Sequence, residues 1–200
     1  MKTAIATCQA LAVVLALLGP LGAAKADEGI AREHGWNGFW LGAHGLASSG
    51  FRKDVTEPAE GRADEVRYGA GAGLGLRAGY DYRGVLGAFL AAELSVGREG
   101  PYRSLGGGAR VMLPLGHSFR LGTTAGVRFI DSDPTLPFVT AGALMEWPLS
   151  SRLGMSLEVD KAWPLGGARF RDGGAGTRQQ VEARSGPWRG VLALTWYFRD

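Results

Sequence analysis

Residues 68–82 alternate between two kinds of side chain along their whole length. In YGAGAGLGLRAGYDY the even positions are apolar or aromatic, and the odd positions are glycine apart from Arg77 and Asp81. A period of two is the repeat of a β-strand, whose successive side chains point to opposite faces of a sheet. The segment therefore predicts a long strand with one apolar face and one nearly empty face that carries a cation and an anion.

A dinucleotide-binding loop is the alternative interpretation of this segment. Gly73, Gly75 and Ala78 match the spacing of that fingerprint, in which a strand turns tightly into a helix. Here the alternation continues through the supposed turn, and no helical periodicity follows. We therefore interpret the segment as a strand.

The same alternation recurs in seven other segments of about ten residues, the length of outer-membrane barrel strands. In residues 85–96 and 118–130, every ionisable side chain shares a face with the glycines. The eight predicted strands are residues 38–48, 68–82, 85–96, 104–115, 118–130, 138–148, 153–161 and 188–198.

The connections between these strands also alternate. Brief turns follow the second, fourth and sixth strands, whereas long polar stretches, 49–67 and 162–187, follow the first and the seventh. An even strand number with short turns at one end is typical of membrane barrels, and an open sheet edge would leave backbone groups unpaired in hydrocarbon. The sequence therefore predicts an all-β fold, an eight-stranded antiparallel up-and-down transmembrane β-barrel.

The face pattern gives the orientation of this barrel. Eight strands enclose an interior just wide enough for side chains, so inward glycines relieve crowding. The apolar face is then the lipid face, with Tyr68, Tyr80 and Tyr82 near its interfaces. A water-soluble, lipocalin-like barrel would have the opposite polarity.

The N-terminus predicts export. Lys2, the apolar run 9–18 and the small residues around Lys25 form a signal-peptide pattern, and the run is shorter than the roughly 20 residues of a membrane-spanning helix. We predict a signal peptide over residues 1–26, a periplasmic lead-in over 27–37 and an outer-membrane barrel domain over 38–198.

Composition excludes several functional classes. The single cysteine, Cys8, lies in the predicted signal peptide, so the mature chain has neither disulfides nor thiolate sites. Without Lys2 and Lys25 the formal charge of +3 falls to +1, which does not indicate a nucleic-acid partner. No apolar run of 18 residues remains to form a membrane helix.

Three segments carry a family resemblance: residues 36–44 (WNGFWLGAH), the glycine-alternating second strand and the final LTWYF of residues 194–198. With these the chain resembles the small eight-stranded outer-membrane proteins of Gram-negative bacteria, the OmpA-like and opacity-type porin-family group. The resemblance implies a location in the outer membrane and insertion by the outer-membrane assembly machinery, for which Trp196 and Phe198 are the candidate signal. It implies an architecture and no particular activity.

Alternation and strand direction sort the inward ionisable residues into two levels. We expect the lower level to be a salt-bridge network, because buried charges are costly unless they are paired. The upper level sets three carboxylates and a histidine against one arginine, and these groups suit a metal site or acid–base chemistry as well as pairing with loop arginines such as Arg169 and Arg171. The lower level comprises Arg77, Asp81, Arg110, Arg120 and Glu146; the upper level comprises His44, Glu93, Arg128, Glu158 and Asp160.

We favour a structural interpretation of both levels, with no catalytic residue, metal or cofactor. The sequence then predicts a non-enzymatic outer-membrane protein with a role in envelope integrity, adhesion or surface display, and with a lumen too full of charged side chains for a general porin. The alternative is a lipid A-modifying enzyme that uses the upper level. Barrel deacylases place His and Ser two residues apart near the outer rim, whereas His117 and Ser118 are adjacent and in a turn. The barrel palmitoyltransferases need an apolar slot, which this charged interior does not offer.

The expected partners are membrane lipids, lipopolysaccharide and a possible extracellular ligand of loops 49–67 and 162–187. The first loop is acidic and the second is basic, and basic side chains near the outer rim suit lipopolysaccharide phosphates. The acidic set is Asp54, Glu57, Glu60, Asp64 and Glu65; the basic set is Arg169, Arg171, Arg178, Arg184 and Arg189.

Overall fold

The structure is a computed structural model, and it describes residues 36–57, 62–97, 100–115, 119–131, 135–171 and 178–198. The predicted signal peptide and most of the predicted lead-in lie outside the described residues. No helix in the described part of the chain is long and apolar enough to cross a membrane.

Eight strands close into a barrel in which every neighbouring pair is antiparallel. The strand Gly38–Ser48 pairs with both Trp188–Tyr197 and Gly71–Tyr82, so the sheet has no free edge. The predicted fold is confirmed, and the strands that begin at Gly100 and Thr135 extend beyond their predicted starts. The barrel strands are β1 (Gly38–Ser48), β4 (Gly71–Tyr82), β5 (Leu86–Gly97), β6 (Gly100–Leu115), β7 (Phe119–Asp131), β8 (Thr135–Pro148), β9 (Leu153–Pro164) and β12 (Trp188–Tyr197).

The two stretches predicted as long loops each contain a strand hairpin instead. These four strands form a second antiparallel sheet in the order β10-β11-β2-β3, which extends the barrel wall beyond β9, β12, β1 and β4. We call this end of the barrel the sheet end and the opposite end, which has tight turns, the turn end. The added strands are β2 (Phe51–Glu57), β3 (Arg62–Tyr68), β10 (Gly167–Arg171) and β11 (Arg178–Ser185).

Gly50 makes the bend between β1 and β2. Its φ is +80°, and a Cβ there would lie 1.9 Å from the carbonyl oxygen of Tyr68, so only glycine fits. The bend also shifts the parity of the chain, since even residues such as Ser48 point inward in β1 and odd residues such as Phe51 are buried in β2. The apolar face of the second sheet is thereby turned over the barrel mouth.

The outer wall of the barrel is apolar, as predicted. Leu74 and Leu90 are 73% and 72% exposed, whereas their inward neighbours are glycine or buried. Exposed aromatic side chains lie at both ends of the wall, including Trp188 at the sheet end and Phe198 at the turn end. Ten residues of strand span roughly 33 Å, which at the usual tilt of about 40° gives about 25 Å, the height of the apolar band of a membrane barrel.

Tyr68 does not belong to this aromatic belt, contrary to the prediction. The strand predicted over residues 68–82 breaks at Gly69-Ala70, and Tyr68 ends β3 in the second sheet. Its ring stacks on Phe51 with centroids 4.4 Å apart. Tyr80 and Tyr82 are exposed on the outer wall, at the turn end.

Candidate functional site

Paired charges fill the lumen of the barrel. Five arginines and five carboxylates are buried there, so their formal charges cancel. Each of them has at least one ion-pair partner of opposite charge within the lumen, which offsets the large cost of removing a charge from water. The ten residues are Arg77, Asp81, Glu93, Arg110, Arg120, Arg128, Glu146, Glu158, Asp160 and Arg189.

Five connected side chains, here called the turn-end cluster, lie nearest the turn end: Asp81, Arg110, Arg120, Glu146 and Tyr197. Asp81 and Arg110 form its first pair. The guanidinium donates from Nε to Asp81 Oδ1 over 2.8 Å and from Nη2 to Oδ2 over 2.6 Å, a two-pronged contact that fixes both groups. Trp40 Nε1 donates to the same Oδ1 over 3.2 Å. Three of the four residues predicted beside Asp81, namely Arg110, Arg120 and Glu146, lie in this cluster.

Tyr197 joins the two halves of the turn-end cluster. Its hydroxyl accepts hydrogen bonds from Arg110 and Arg120 and donates to Glu146 Oε1 over 2.6 Å. Arg120 also donates to Glu146 Oε2 over 3.0 Å. Tyr197 is not among the predicted site residues, although its inward parity in the last strand identifies it as a lumen residue.

Two tryptophans cover this cluster. The Arg110 guanidinium carbon lies 4.2 Å from the ring centroid of Trp40, and that of Arg120 lies 4.8 Å from the ring centroid of Trp36. Cations attract the face of an aromatic ring, more strongly where water is absent. Trp36 is 1% exposed and precedes β1, so the start of the described chain packs across the turn end of the lumen.

Arg77 departs from its predicted place in the lower network. It donates from Nη1 to Glu158 Oε2 over 2.8 Å, and Thr124 Oγ1 donates to the other oxygen of Glu158 over 2.8 Å. A residue of the predicted lower level is thus paired with a residue of the predicted upper level. The length of the Arg77 side chain explains this pairing, because an arginine side chain reaches across several residue levels of a narrow lumen.

Glu93 is the centre of a second cluster, here called the sheet-end cluster, which comprises Glu93, His44, Ser104, Arg128, Asp160 and Arg189. Its carboxylate accepts hydrogen bonds from Arg128 Nη1 at 2.6 Å, from Arg189 Nη1 at 2.8 and 2.9 Å, and from Ser104 Oγ at 2.9 Å. Arg189 also contacts Asp160 through Nε at 3.0 Å and Nη2 at 2.5 Å. The assignment of Arg189 to a basic surface loop is wrong, because the residue is 5% exposed and points inward from β12. With Arg189, and with Arg77 paired to Glu158, the excess of carboxylates expected at this level disappears.

His44 lies in the same cluster, beside Glu93. Its Nε2 is 3.1 Å from Glu93 Oε1, and its buried Nδ1 has no hydrogen-bond partner among the described residues. The nearby hydroxyl of Ser104 donates to Glu93 and not to the imidazole, so there is no activated Ser–His pair. Among the described residues, no three His, Cys, Asp or Glu side chains are arranged to hold a metal ion.

An apolar layer, here called the apolar cap, closes the sheet end above these charges. Phe51 of β2 packs against Tyr102 and Phe138 from the barrel, with ring centroids 5.9 and 6.0 Å apart. The second sheet therefore rests on the barrel mouth and removes its rim from water. The buried members of the apolar cap are Phe51, Tyr102, Ile130, Leu136, Phe138, Ala162, Val181 and Ala183.

Two concavities are bordered by residues of the lumen. A lumen cavity bordered by Arg77, Thr124 and Asp160 measures about 10 Å³, roughly the space of a single water molecule. A concavity of about 1170 Å³ is bordered by outward residues such as Gly45 and Leu192, and its border also includes His44, Glu93 and Ser104.

The outer face of the second sheet is charged and internally paired. Arg184 of β11 contacts Asp54 of β2, so a basic residue of one predicted loop neutralises an acidic residue of the other. Hydrogen bonds from Arg67 hold the pKa of the Glu65 carboxyl below its ordinary value. The remaining loop charges, including Arg169, Arg171 and Arg178, have side chains outside the described part, as do the residues His117 and Ser118.

Trp196 and Phe198, the predicted assembly signal, both project from the outer wall at the turn end. They are 46% and 50% exposed, two residues apart on the lipid-facing side of the last strand. They have no contact with the lumen clusters among the hydrogen bonds and ion pairs of the described residues. Their role as an assembly signal stays a prediction.

No protein-family model matches the sequence, and no curated protein matches it. Among solved structures, the outer membrane protein OprG from Pseudomonas aeruginosa is similar, with a TM-score of 0.54 and 13% identity over 82% of this chain and 97% of that chain. Neisserial surface protein A gives a TM-score of 0.48 and 8% identity over 80% and 97% of the two chains. The N-terminal β-barrel domain of Pseudomonas aeruginosa OprF gives 0.44 and 14% over 78% and 97%. The likeness to OprG shows that this chain has the fold of a transmembrane β-barrel.

Proposed function

We propose that the chain is an integral outer-membrane β-barrel protein with a structural or surface-display role, closed to the passage of solutes. The observation that carries this proposal is that three groups of side chains block the lumen one after another along its axis. Paired charges fill it from Asp81 to Asp160, the apolar cap covers the sheet end, and Trp36 covers the turn end. Barrels that conduct water and solutes have about 16 strands or more.

In this proposal the turn end faces the periplasm and the second sheet faces the exterior. The predicted signal peptide delivers the chain, and the short turns of small barrels lie on the periplasmic side. The charged outer face of the second sheet, with Arg184 and Glu65 exposed, is then the part that a neighbouring cell or an extracellular ligand meets. Contact with lipopolysaccharide and a role in envelope integrity or adhesion belong to the same proposal.

Planar-bilayer recording tests the closed lumen. We expect purified, refolded protein to show no stable conductance steps of general-porin size, because no continuous aqueous path crosses the charged layers. A general porin recorded under identical conditions is the positive control. Stable porin-sized steps from the folded monomer would show that the lumen opens in the membrane.

Mass spectrometry of lipid A tests the absence of an enzymatic role. Lipid A from cells with and without the protein should give the same acylation and phosphorylation pattern, because Glu93, the partner of His44, is held by Arg128 and Arg189. A change that depends on the protein and disappears in a His44→Ala variant would establish the alternative, a lipid A-modifying enzyme.

A further inference from the structure

We propose that Lys161 and Trp188 form a binding site for a phosphate group of an outer-leaflet glycolipid, with an acyl chain lying in a depression directly below them. The proposal rests on the proposed function, which places the sheet end at the outer leaflet. Lys161 of β9 and Trp188 of β12 are register partners, and both point away from the lumen.

Lys161 has donors left for an anion. Its ammonium donates to the carbonyl oxygen of Gly186 over 2.7 Å and lies 5.3 Å from the ring centroid of Trp188. It makes no ion pair with a carboxylate of the described residues, in contrast to Arg184 and Arg67 on the second sheet. One carbonyl uses one of three ammonium protons, so two remain for phosphate oxygens.

The position of Lys161 suits a lipid phosphate and not a soluble anion. Trp188 and Trp163 flank it on the outer wall with exposed fractions of 56% and 44%, and Val159, one step toward the turn end, is 49% exposed. Aromatic side chains at this height mark the interface between hydrocarbon and head groups. A lysine among them lies where the phosphates of a glycolipid begin.

The wall directly below the pair has a depression that is open to the lipid. Gly190 follows Trp188 on the same face of β12, and its register partner on β1 is Ala47, next to outward Gly45. A Cβ placed on Gly190 or Gly45 would meet no atom within 4 Å. Gly45 of this depression lies between Leu192 and Leu74, its register partners on β12 and β4, and all three border the concavity of the outer wall. An apolar chain attached to the bound phosphate head group fits here.

Binding of purified lipopolysaccharide to the refolded full chain in micelles, followed by native mass spectrometry, tests the site. We expect the wild-type protein to bind lipopolysaccharide more tightly than its dephosphorylated form. Lys161→Gln should weaken binding of the phosphorylated form by about threefold or more, the usual range for one exposed charge contact, and leave the dephosphorylated form unchanged. Arg152→Gln removes an exposed cation at the turn end and is the matched control.

A second variant tests the acyl part. Gly190→Leu should fill the depression and weaken binding of both forms, since a Cβ at this position meets no atom within 4 Å and the backbone φ is not positive. Equal affinity of the wild type for the two forms, or equal losses in Lys161→Gln and Arg152→Gln, would overturn the proposal. Gel mobility with and without heating reports folding of each variant, and membrane fractionation reports location. Failure of the glycolipid site in a folded, outer-membrane barrel is therefore distinct from failure of the proposed function.

Discussion

At the scale of single residues, Glu93 has more buried donors than any other carboxylate of the lumen. Two arginines, a serine and His44 converge on it, and removing its charge would leave Arg128 with no other ion-pair partner in the described residues. Breaking a buried pair from one side is costly because the other charge stays buried.

We therefore expect Glu93→Ala to lower the free energy of unfolding by about 3–5 kcal/mol, measured by urea titration in micelles or bilayers. Glu93→Gln should cost less, since the amide oxygen still accepts hydrogen bonds. Glu65→Gln, which removes an exposed carboxylate of the second sheet, should leave the midpoint unchanged. Equal midpoints for Glu93→Ala and Glu65→Gln would show that the lumen pairs contribute nothing.

The residues of the lumen could be predicted from parity, but their partners could not. Strict alternation placed Asp81, Glu146 and Glu93 inside, because a strand has only two faces. Pairing depends on barrel stagger and on side-chain reach, neither of which alternation contains, so alternation does not predict the contact between Arg77 and Glu158. Arg189 differs, because its basic character suggests a surface loop whereas its parity places it inward with Val191 and Ala193.

At the scale of elements, one alternation of residues along each barrel strand produces both the exposed apolar wall and the buried, glycine-rich face of the lumen. Leu90 and Ala91 are neighbours on β5, 72% and 7% exposed, and a shift of one residue would exchange them.

Leu90→Arg places a charge on the lipid face and should cost about 2–4 kcal/mol near the bilayer midplane. Ala91→Ser, on the lumen side, should be mild because hydroxyls and water-sized space are already present there. Folding yields in lipid vesicles and urea midpoints measure both effects. Similar losses for the two variants would contradict the assignment of the faces.

The second sheet is the element that alternation did not reveal. Its strands are short and charged, and β2 pairs with β11, more than a hundred residues away in the chain. This pairing follows from the barrel, in which β1 lies beside β12. Because β2 follows β1 and β11 precedes β12 in the chain, β2 and β11 leave the barrel side by side. Gly50 was one visible signal, since glycine between two alternating segments marks a bend or bulge.

Gly50→Ala should disrupt the second sheet and leave the barrel intact. Its positive φ and the 1.9 Å approach to the Tyr68 carbonyl both oppose a Cβ, and we expect a cost of at least about 1 kcal/mol. Hydrogen exchange should become faster in β2 and β11 but not in β5 or β6. Gly45→Ala, where a Cβ meets open space, is the control and should show no change. Faster exchange throughout the barrel would mean that the two sheets unfold together.

At the scale of the whole molecule, three layers close the lumen in series. The apolar cap excludes water at the sheet end, the Glu93 and Asp160 pairs cross the lumen below it, and the turn-end cluster with Trp36 closes the other end. A path through the barrel requires all three layers to open at once. The charged layers gain strength from the cap, because electrostatic interactions strengthen where water is excluded.

Series closure predicts that removing one layer does not produce a pore. Phe51→Ala deletes the ring that stacks on Tyr68 and packs on Phe138, and should cost about 3–5 kcal/mol while admitting water to the sheet-end cluster. Conductance in planar bilayers should nevertheless stay at the wild-type level, because Arg120 and Glu146 are fully buried in the layer beneath. Phe129→Ala, which removes an exposed aromatic from the outer wall, is the matched control for loss of a ring. Discrete conductance steps in Phe51→Ala, absent from Phe129→Ala, would mean that the apolar cap alone holds the barrel shut and that the charged layers below it are permeable.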